Sequence, residues 1–373
     1  MKFRRTLATA LLFSASAVLA ADSTTTTTTT PTTTAQRYGT WGVDLAGMDT
    51  SVKPGDDFFR YVNGNWLKTA QIPADRTSWG AFPMLAELSE NRVRAIIEGW
   101  AADKNLQPSS DEAKIAAIYR TFMDEAAAEK ADAKPIEKYL TAIRDAKTHE
   151  DIAAFMGRSA RGFGSTFFGA GVSDDAKHPD TYTLYVGQGG LGLPDREFYL
   201  QDKFKEQKDR YTKYVADMLR LAGWSEPEKN ASDVVALETK LAEAHWTRSE
   251  SRDRDKTYNP MTVAELEQYA PGFPWRASLN AAGLTKATNV IVRQNTAMPK
   301  EAKTFADAPV ATLQAWEAFH VVDDAAPYLS TRFADVNWEF RSHYLNGTTE
   351  QRPRWKRAVA AAEGEMGEAI GRE

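Results

Sequence analysis

SVKPGDDFFRYVNGNW, residues 51–66, decides how this 373-residue chain is read. The run places Asp56, Asp57, Phe58, Phe59, Arg60 and Tyr61 just ahead of Asn63-Gly64-Asn65-Trp66-Leu67. Trp41 precedes it, and Trp79, Phe82 and Trp100 follow. Aromatics at this density ordinarily pack, and their spacing suggests a chain wrapping against a larger body.

Composition sets the class. With 42% hydrophobic residues and 11% aromatics, the chain has ample material for sizeable cores. A net charge of −5 argues against a nucleic-acid binder, which would carry a concentrated basic face. Polypeptides are the better expectation for a partner. The chain has no cysteine, so a disulfide framework, a lipid-anchored cysteine and a thiol nucleophile are all excluded.

At the N-terminus, Met1-Lys2-Phe3-Arg4-Arg5 is followed by the apolar Leu7 to Ala20, ending Val18-Leu19-Ala20. This fits a secretory signal over residues 1–20 with cleavage after Ala20, and the apolar run is too short for a stable membrane span. The chain is therefore expected to be exported, to the periplasm or beyond. Residues 21–37, almost all Thr from Ser23 to Thr34, read as a disordered linker. A globular region of 38–373 remains.

That region reads as mainly α. Ser109 to Glu112 has capping-box spacing, and Ile115, Ile118, Tyr119, Phe122 and Met123 follow as a helical stripe. The same period recurs at Tyr211, Tyr214, Val215, Met218 and Ala222, closed by Gly223. It recurs again at Val234, Leu237, Leu241 and His245 after a candidate cap at Ser232. Tyr182–Val186 and Asn289–Arg293 read as short strands. From Arg357, apolar Val359, Ala362, Met366 and Ile370 keep helical spacing up to Glu373 without a stop signal, as if cut.

Gly187-Gln188-Gly189-Gly190-Leu191-Gly192 matches the dinucleotide fingerprint G-x-G-x-x-G after a strand-like run. The third glycine should open a helix, yet Leu193-Pro194-Asp195 reads as a turn, and nucleotide binding is rejected.

The opening run resembles the start of the neprilysin-like M13 zinc metallopeptidases, bacterial PepO-type members included. Further segments are similar to that family in its own order. They are GLGLPD with the aromatic pair Phe198-Tyr199, Leu237-Glu238-Thr239 with Leu241-Ala242, Tyr258 to Thr262 with Glu265-Leu266, and Arg354-Trp355-Lys356-Arg357. The resemblance spans about residues 43 to 370 and corresponds to the region that precedes the family's catalytic segment. Two departures stand out. Gly55 and Asn63 occupy places where animal members tend to carry Cys, and Ser78 and Ala86 occupy places where some carry arginine near the substrate cavity. No substrate-binding arginine is therefore carried over.

A zinc peptidase of this kind needs two His one helical turn apart with a Glu between them, and no HExxH occurs in the sequence. The five histidines, His149, His178, His245, His320 and His343, are scattered. The resemblance thus implies the helical lobe of the M13 fold with a few short strands, the thermolysin-like catalytic lobe being absent. In the full-length enzyme zinc is expected to serve peptide hydrolysis, while this chain alone binds no metal and carries no catalytic residue. Its partners would be the catalytic C-terminal half of the same protein and small peptide substrates. A non-catalytic peptide-binding or interaction protein that retains the helical lobe is the alternative.

The remaining signals take ordinary readings. His245 beside Glu238 is a structural histidine, because a zinc site needs three or four converging ligands. The run Arg248 to Lys256 alternates charge and reads as solvated surface. No G-x-S-x-G elbow supports Ser-His-Asp hydrolysis. The sequons at Asn230 and Asn346 matter only in a eukaryotic source.

Overall fold

The computed structural model of the protein describes residues 42–159 and 161–372. The signal reading (1–20), the linker reading (21–37) and Trp41 lie outside the described residues. Among those residues the fold is mainly helical, with one four-stranded sheet.

The helix Val310–Ala325 is the centre of the molecule. Every residue from Ala315 to Val322 is buried, including Trp316 and Phe319 at 0% exposure. A helix apolar all round belongs inside a core, where each such side chain contributes roughly 1.5–3 kcal/mol by leaving water. Lys205–Leu221 and Pro227–Ala244 pack against it with their apolar stripes, as do Glu137–Asp145 and His149–Ser159. Ala222 and Gly223 (φ +66°) close the first of these helices as the glycine signal suggests.

The sheet lies beside this core. β1 (Phe168–Asp175) and β2 (His178–Gln188) form an antiparallel hairpin, and β3 (Asn259–Thr262) pairs antiparallel with β4 (Asn289–Val292). β2 and β4 run parallel, giving the order β1-β2-β4-β3. Leu184, Val186, Val290 and Val292 face the core. Pro260 sits on the edge strand β3, where its missing N–H costs no ladder bond.

A second, smaller core joins Ala81–Ala102, Asp111–Met123 and Arg354–Ile370 through Ile97, Ile115, Tyr119, Val359 and Ala362. The expected C-terminal helix is present, with a break in helical dihedrals at Met366 (φ −137°, ψ 28°). Buried ion pairs hold it to the front of the chain. Lys356 reaches Asp75 at 2.7 Å and Glu87 at 3.6 Å, and Glu90 bonds both Arg76 and Arg352. The Arg94 guanidinium lies 4.2 Å over the Trp355 ring, and Arg354 donates to the Phe122 carbonyl at 2.8 Å. The Arg354–Arg357 segment is therefore a clamp.

Two caps differ from expectation by local chemistry. Ser110, rather than Ser109, caps Asp111–Met123 by accepting from the Ala113 N–H at 3.2 Å. Ser232 lies inside the helix that starts at Pro227, and its hydroxyl bonds back to the Glu228 carbonyl at 3.0 Å. A complete capping box exists instead at Thr262 and Glu265.

Candidate functional site

Where β2 ends, the segment Gly187–Tyr199 is tied down by a buried polar knot. Glu238, at 0% exposure, accepts from Tyr199 Oη at 2.7 Å, Tyr211 Oη at 3.2 Å, Trp316 Nε1 at 3.1 Å and His320 Nε2 at 3.0 Å. Tyr199 Oη in turn accepts from the Leu193 N–H at 2.8 Å. That relay explains why an aromatic pair follows Gly-Leu-Pro-Asp: the hydroxyl of the second aromatic couples the turn to the carboxylate. Burial, and then the Glu238 charge, push both tyrosine hydroxyls well above their usual range, so they stay neutral donors. Phe198 stacks on Phe204 at 4.3 Å between ring centroids.

On the other side of the turn, Arg341 donates to the Gly192 carbonyl and to Asp323, which also accepts from Tyr214 Oη and from Asn337 Nδ2 at 3.0 Å. Arg341 belongs to a π-helical turn, Glu339–Tyr344. Gly192 is required by close approach, because a Cβ there would enter the Tyr211 hydroxyl. The glycines thus serve packing. The chain after Gly192 turns into the short helix Glu197–Leu200, and the helix that the dinucleotide fingerprint needs at the third glycine does not form.

The outer face of the same turn borders a cleft of about 670 Å³. Its opposite wall is the segment after Pro227–Ala244, from His245 to Arg252. Gln188 fixes the two walls by bonding the Trp246 backbone twice, Nε2 to the carbonyl at 3.1 Å and Oε1 from the N–H at 2.7 Å. Arg248 pairs with Asp195 at 2.9 Å and donates to the Pro194 carbonyl at 3.1 Å. Arg196 donates to the Ala242 carbonyl at 3.1 Å and pairs with Glu197 at 3.3 Å. The charged run read as solvated surface is exposed from Arg248 to Glu250, at Arg252 and from Arg254 to Lys256, and Arg248, Ser249, Ser251 and Arg252 also line this cleft.

His245 is 9% exposed and shares a hydrogen bond of 3.0 Å between Nε2 and the Gly189 carbonyl. Its pKa falls to about 4 because burial disfavours the charged ring. Glu301 Oε1 stands 3.6 Å from Nε2, and neither Glu301 oxygen has a hydrogen-bond partner among the described residues. Burial raises the Glu301 carboxyl well above its ordinary value, so the two groups stand as neutral neighbours. Glu317 is in the same condition at the centre of the core.

These histidines do not fit a zinc site. His149 bonds the Ala308 carbonyl, His245 that of Gly189 and His343 that of Thr348, while His320 is held by Glu238. Among the described residues, no group of three or more His, Cys, Asp or Glu side chains stands close enough to share a metal. Nor is any helix among them long and apolar enough to cross a membrane.

The front of the chain presents a different surface. Phe58 (66% exposed), Phe59 (63%), Ile72 (57%), Phe82 (87%) and Leu85 (56%) stand in water. Asp57 caps Phe58–Thr69, and Gly64 is packed against Asp49 where a side chain would collide. The signature stretch therefore orders its backbone while leaving its phenylalanines outward.

Comparison with known proteins agrees with this architecture. The profile of peptidase family M13 matches residues 54–373. Endothelin-converting enzyme 1 of Bos taurus is 27% identical over 343 residues, covering 88% of this chain and 45% of the relative. Neprilysin-11 of Caenorhabditis elegans is 26% identical over 340 residues, or 84% and 39% of the two chains. Among solved structures, the Mycobacterium tuberculosis zinc metalloprotease Zmp1 in complex with inhibitor superposes with a TM-score of 0.84 at 33% identity, covering 88% of this chain and 51% of that one. PepO from Lactobacillus rhamnosis shares the fold, with a TM-score of 0.71 at 17% identity. The chain spans about half the length of these relatives or less. On these grounds the chain belongs to peptidase family M13.

Proposed function

We propose that this chain is the N-terminal part of an exported zinc-dependent endopeptidase of small peptides, supplying the lobe that covers the cleft. In this reading the catalytic zinc set lies in a downstream half of the same protein. Residues 1–20 direct export, 21–37 form a tether, and 38–373 form the covering lobe.

The observation that carries the reading is the row of outward phenylalanines. An ordered backbone that holds Phe58, Phe59, Phe82 and Leu85 in water has apolar surface made for another body. A catalytic half in a downstream part of the same protein is the body that fits this proposal, since the chain covers only 45–51% of relatives such as endothelin-converting enzyme 1 and Zmp1.

The test is a fluorogenic-peptide assay on the purified 373-residue chain, with and without the downstream half. No zinc-dependent cleavage and no stoichiometric zinc are expected from the chain alone, and zinc-dependent cleavage is expected once the halves are joined. Zinc-dependent turnover by the chain alone would overturn the assignment. Sequencing of the secreted N-terminus tests export, with residue 21 or later expected first.

The cleft bordered by His245 favours a second reading, a peptide-binding protein without chemistry. A native species of this chain's own size in cells would put that reading first.

A further inference from the structure

We propose that the cleft between the Gly189–Glu197 turn and residues His245–Arg252 is a binding site for the carboxylate end of a short peptide. Its volume of about 670 Å³ lies within the range of ~300–1,000 Å³ usual for ligand pockets.

Charge selects the ligand. The lining carries three guanidiniums, Arg196, Arg248 and Arg252, against two carboxylates, Asp195 and Glu197. Each carboxylate already has an arginine partner, Asp195 with Arg248 and Glu197 with Arg196. The Arg252 backbone N–H bonds the Ser249 carbonyl, but its guanidinium has no ion pair or hydrogen bond with any described residue, so one positive charge is uncompensated. A guanidinium takes a carboxylate in a planar, two-point contact. A single negative charge balances the site, whereas a phosphate dianion would face Asp195 and Glu197 with surplus charge.

His245 selects what adjoins the carboxylate. The Gly189 carbonyl can only accept, so Nε2 carries the ring proton. With the ring neutral, Nδ1 keeps its lone pair, and it has no partner among the described residues. A lining that holds both this imidazole and an unpaired guanidinium matches a peptide terminus, which offers a carboxylate and an amide N–H one residue in. The choice of peptide over other carboxylates leans on the peptidase reading, but the site itself does not require catalysis.

Equilibrium dialysis of the 373-residue chain in chelator tests the site without any zinc chemistry. The probes are a mixed-sequence pool of Nα-acetyl tripeptides as free acids, the same pool as C-terminal amides, and inorganic phosphate. Retention of acids, with the amides bound about tenfold or more weakly, is expected from the loss of one charge-assisted contact. Arg252→Gln, an exposed position, should reduce acid binding about tenfold and leave the fold intact. The His245 ring resonances should shift with the acids alone. Equal binding of acids and amides, no binding of either, unchanged binding by R252Q, or displacement by equimolar phosphate would each overturn the proposal. Any of those results leaves the covering-lobe reading standing, and peptide cleavage by the isolated chain would remove that reading without touching this one.

Discussion

Residues 187–199 and residues 58–85 are both glycine- and aromatic-bearing stretches with distinctive sequence, yet they spend their aromatics in opposite ways. In the first, Tyr199 and its neighbours vanish into a fully hydrogen-bonded knot around Glu238. In the second, Phe58, Phe59 and Phe82 project from an ordered, capped backbone. The lesson is that a recognisable motif can be internal scaffolding or external surface, and only the destination of its side chains tells which. Stability should depend steeply on the knot of the first stretch and hardly at all on the outward phenylalanines of the second.

The steepest test is Gly192→Ala. The new methyl would enter the hydroxyl of Tyr211, which is itself fully buried and bonded to Glu238, so relief requires dismantling the knot. A loss of more than about 5 kcal/mol is expected, read as failure to fold in a thermal melt. Next comes Glu238→Leu, which strands the Tyr199, Tyr211, Trp316 and His320 donors in the core. Urea unfolding should register a loss of about 3–5 kcal/mol.

Glu301→Met should act in the opposite direction, raising stability by about 1–3 kcal/mol near pH 8, because a partnerless buried carboxyl is replaced by an apolar group of similar volume. The pH sign follows from the raised folded-state pKa. The contribution of the bound proton is complete below the unfolded value of roughly 4.3 and disappears as pH climbs through the folded value. Native stability should therefore decline towards alkaline pH, and the variant should flatten that decline in melts across pH 5 to 9. A native profile identical to the variant's would contradict a buried neutral Glu301.

Smallest in stability is the pair Phe58→Ser and Phe82→Ser, expected within about 0.5 kcal/mol of the native chain. Sedimentation should show less self-association, and, on the proposed covering-lobe function, the pair should weaken docking to a downstream half. A melting temperature lowered as far as that of Glu238→Leu would erase the contrast between the two stretches.

Legibility in the sequence followed amphipathicity. Asp111–Met123, Lys205–Leu221 and Arg354–Ile370 each bury one stripe, so their period shows. Val310–Ala325 is buried on all sides from Ala315 to Val322 and carries no stripe there, so the helix at the centre of the fold escaped periodicity. β1 escaped because most of it is exposed and two of its residues are glycine, while β2 and β4 showed through their apolar runs. The cleft was the least legible part. Arg248 and Arg252 looked like solvated charge in a run of alternating sign, and only the Gln188 bridge to Trp246 brings them opposite the glycine turn. The structural reading of His245 agrees with its bond to Gly189, although His245 is the C-cap residue, its backbone N–H bonding the Leu241 carbonyl, rather than part of the helical stripe.

The clamp formed by the Arg354–Arg357 segment has a consequence for biosynthesis. Glu90 meets Arg352, its partner 262 residues later, and Asp75 meets Lys356 across 281 residues. On a ribosome adding about 5–20 residues per second, the helices Ala81–Ala102 and Asp111–Met123 wait on the order of tens of seconds for the helix that completes their core. Throughout that interval Ile97, Ile115 and Tyr119 lack the cover of that last helix, which makes the front of the nascent chain the natural client for a holding chaperone.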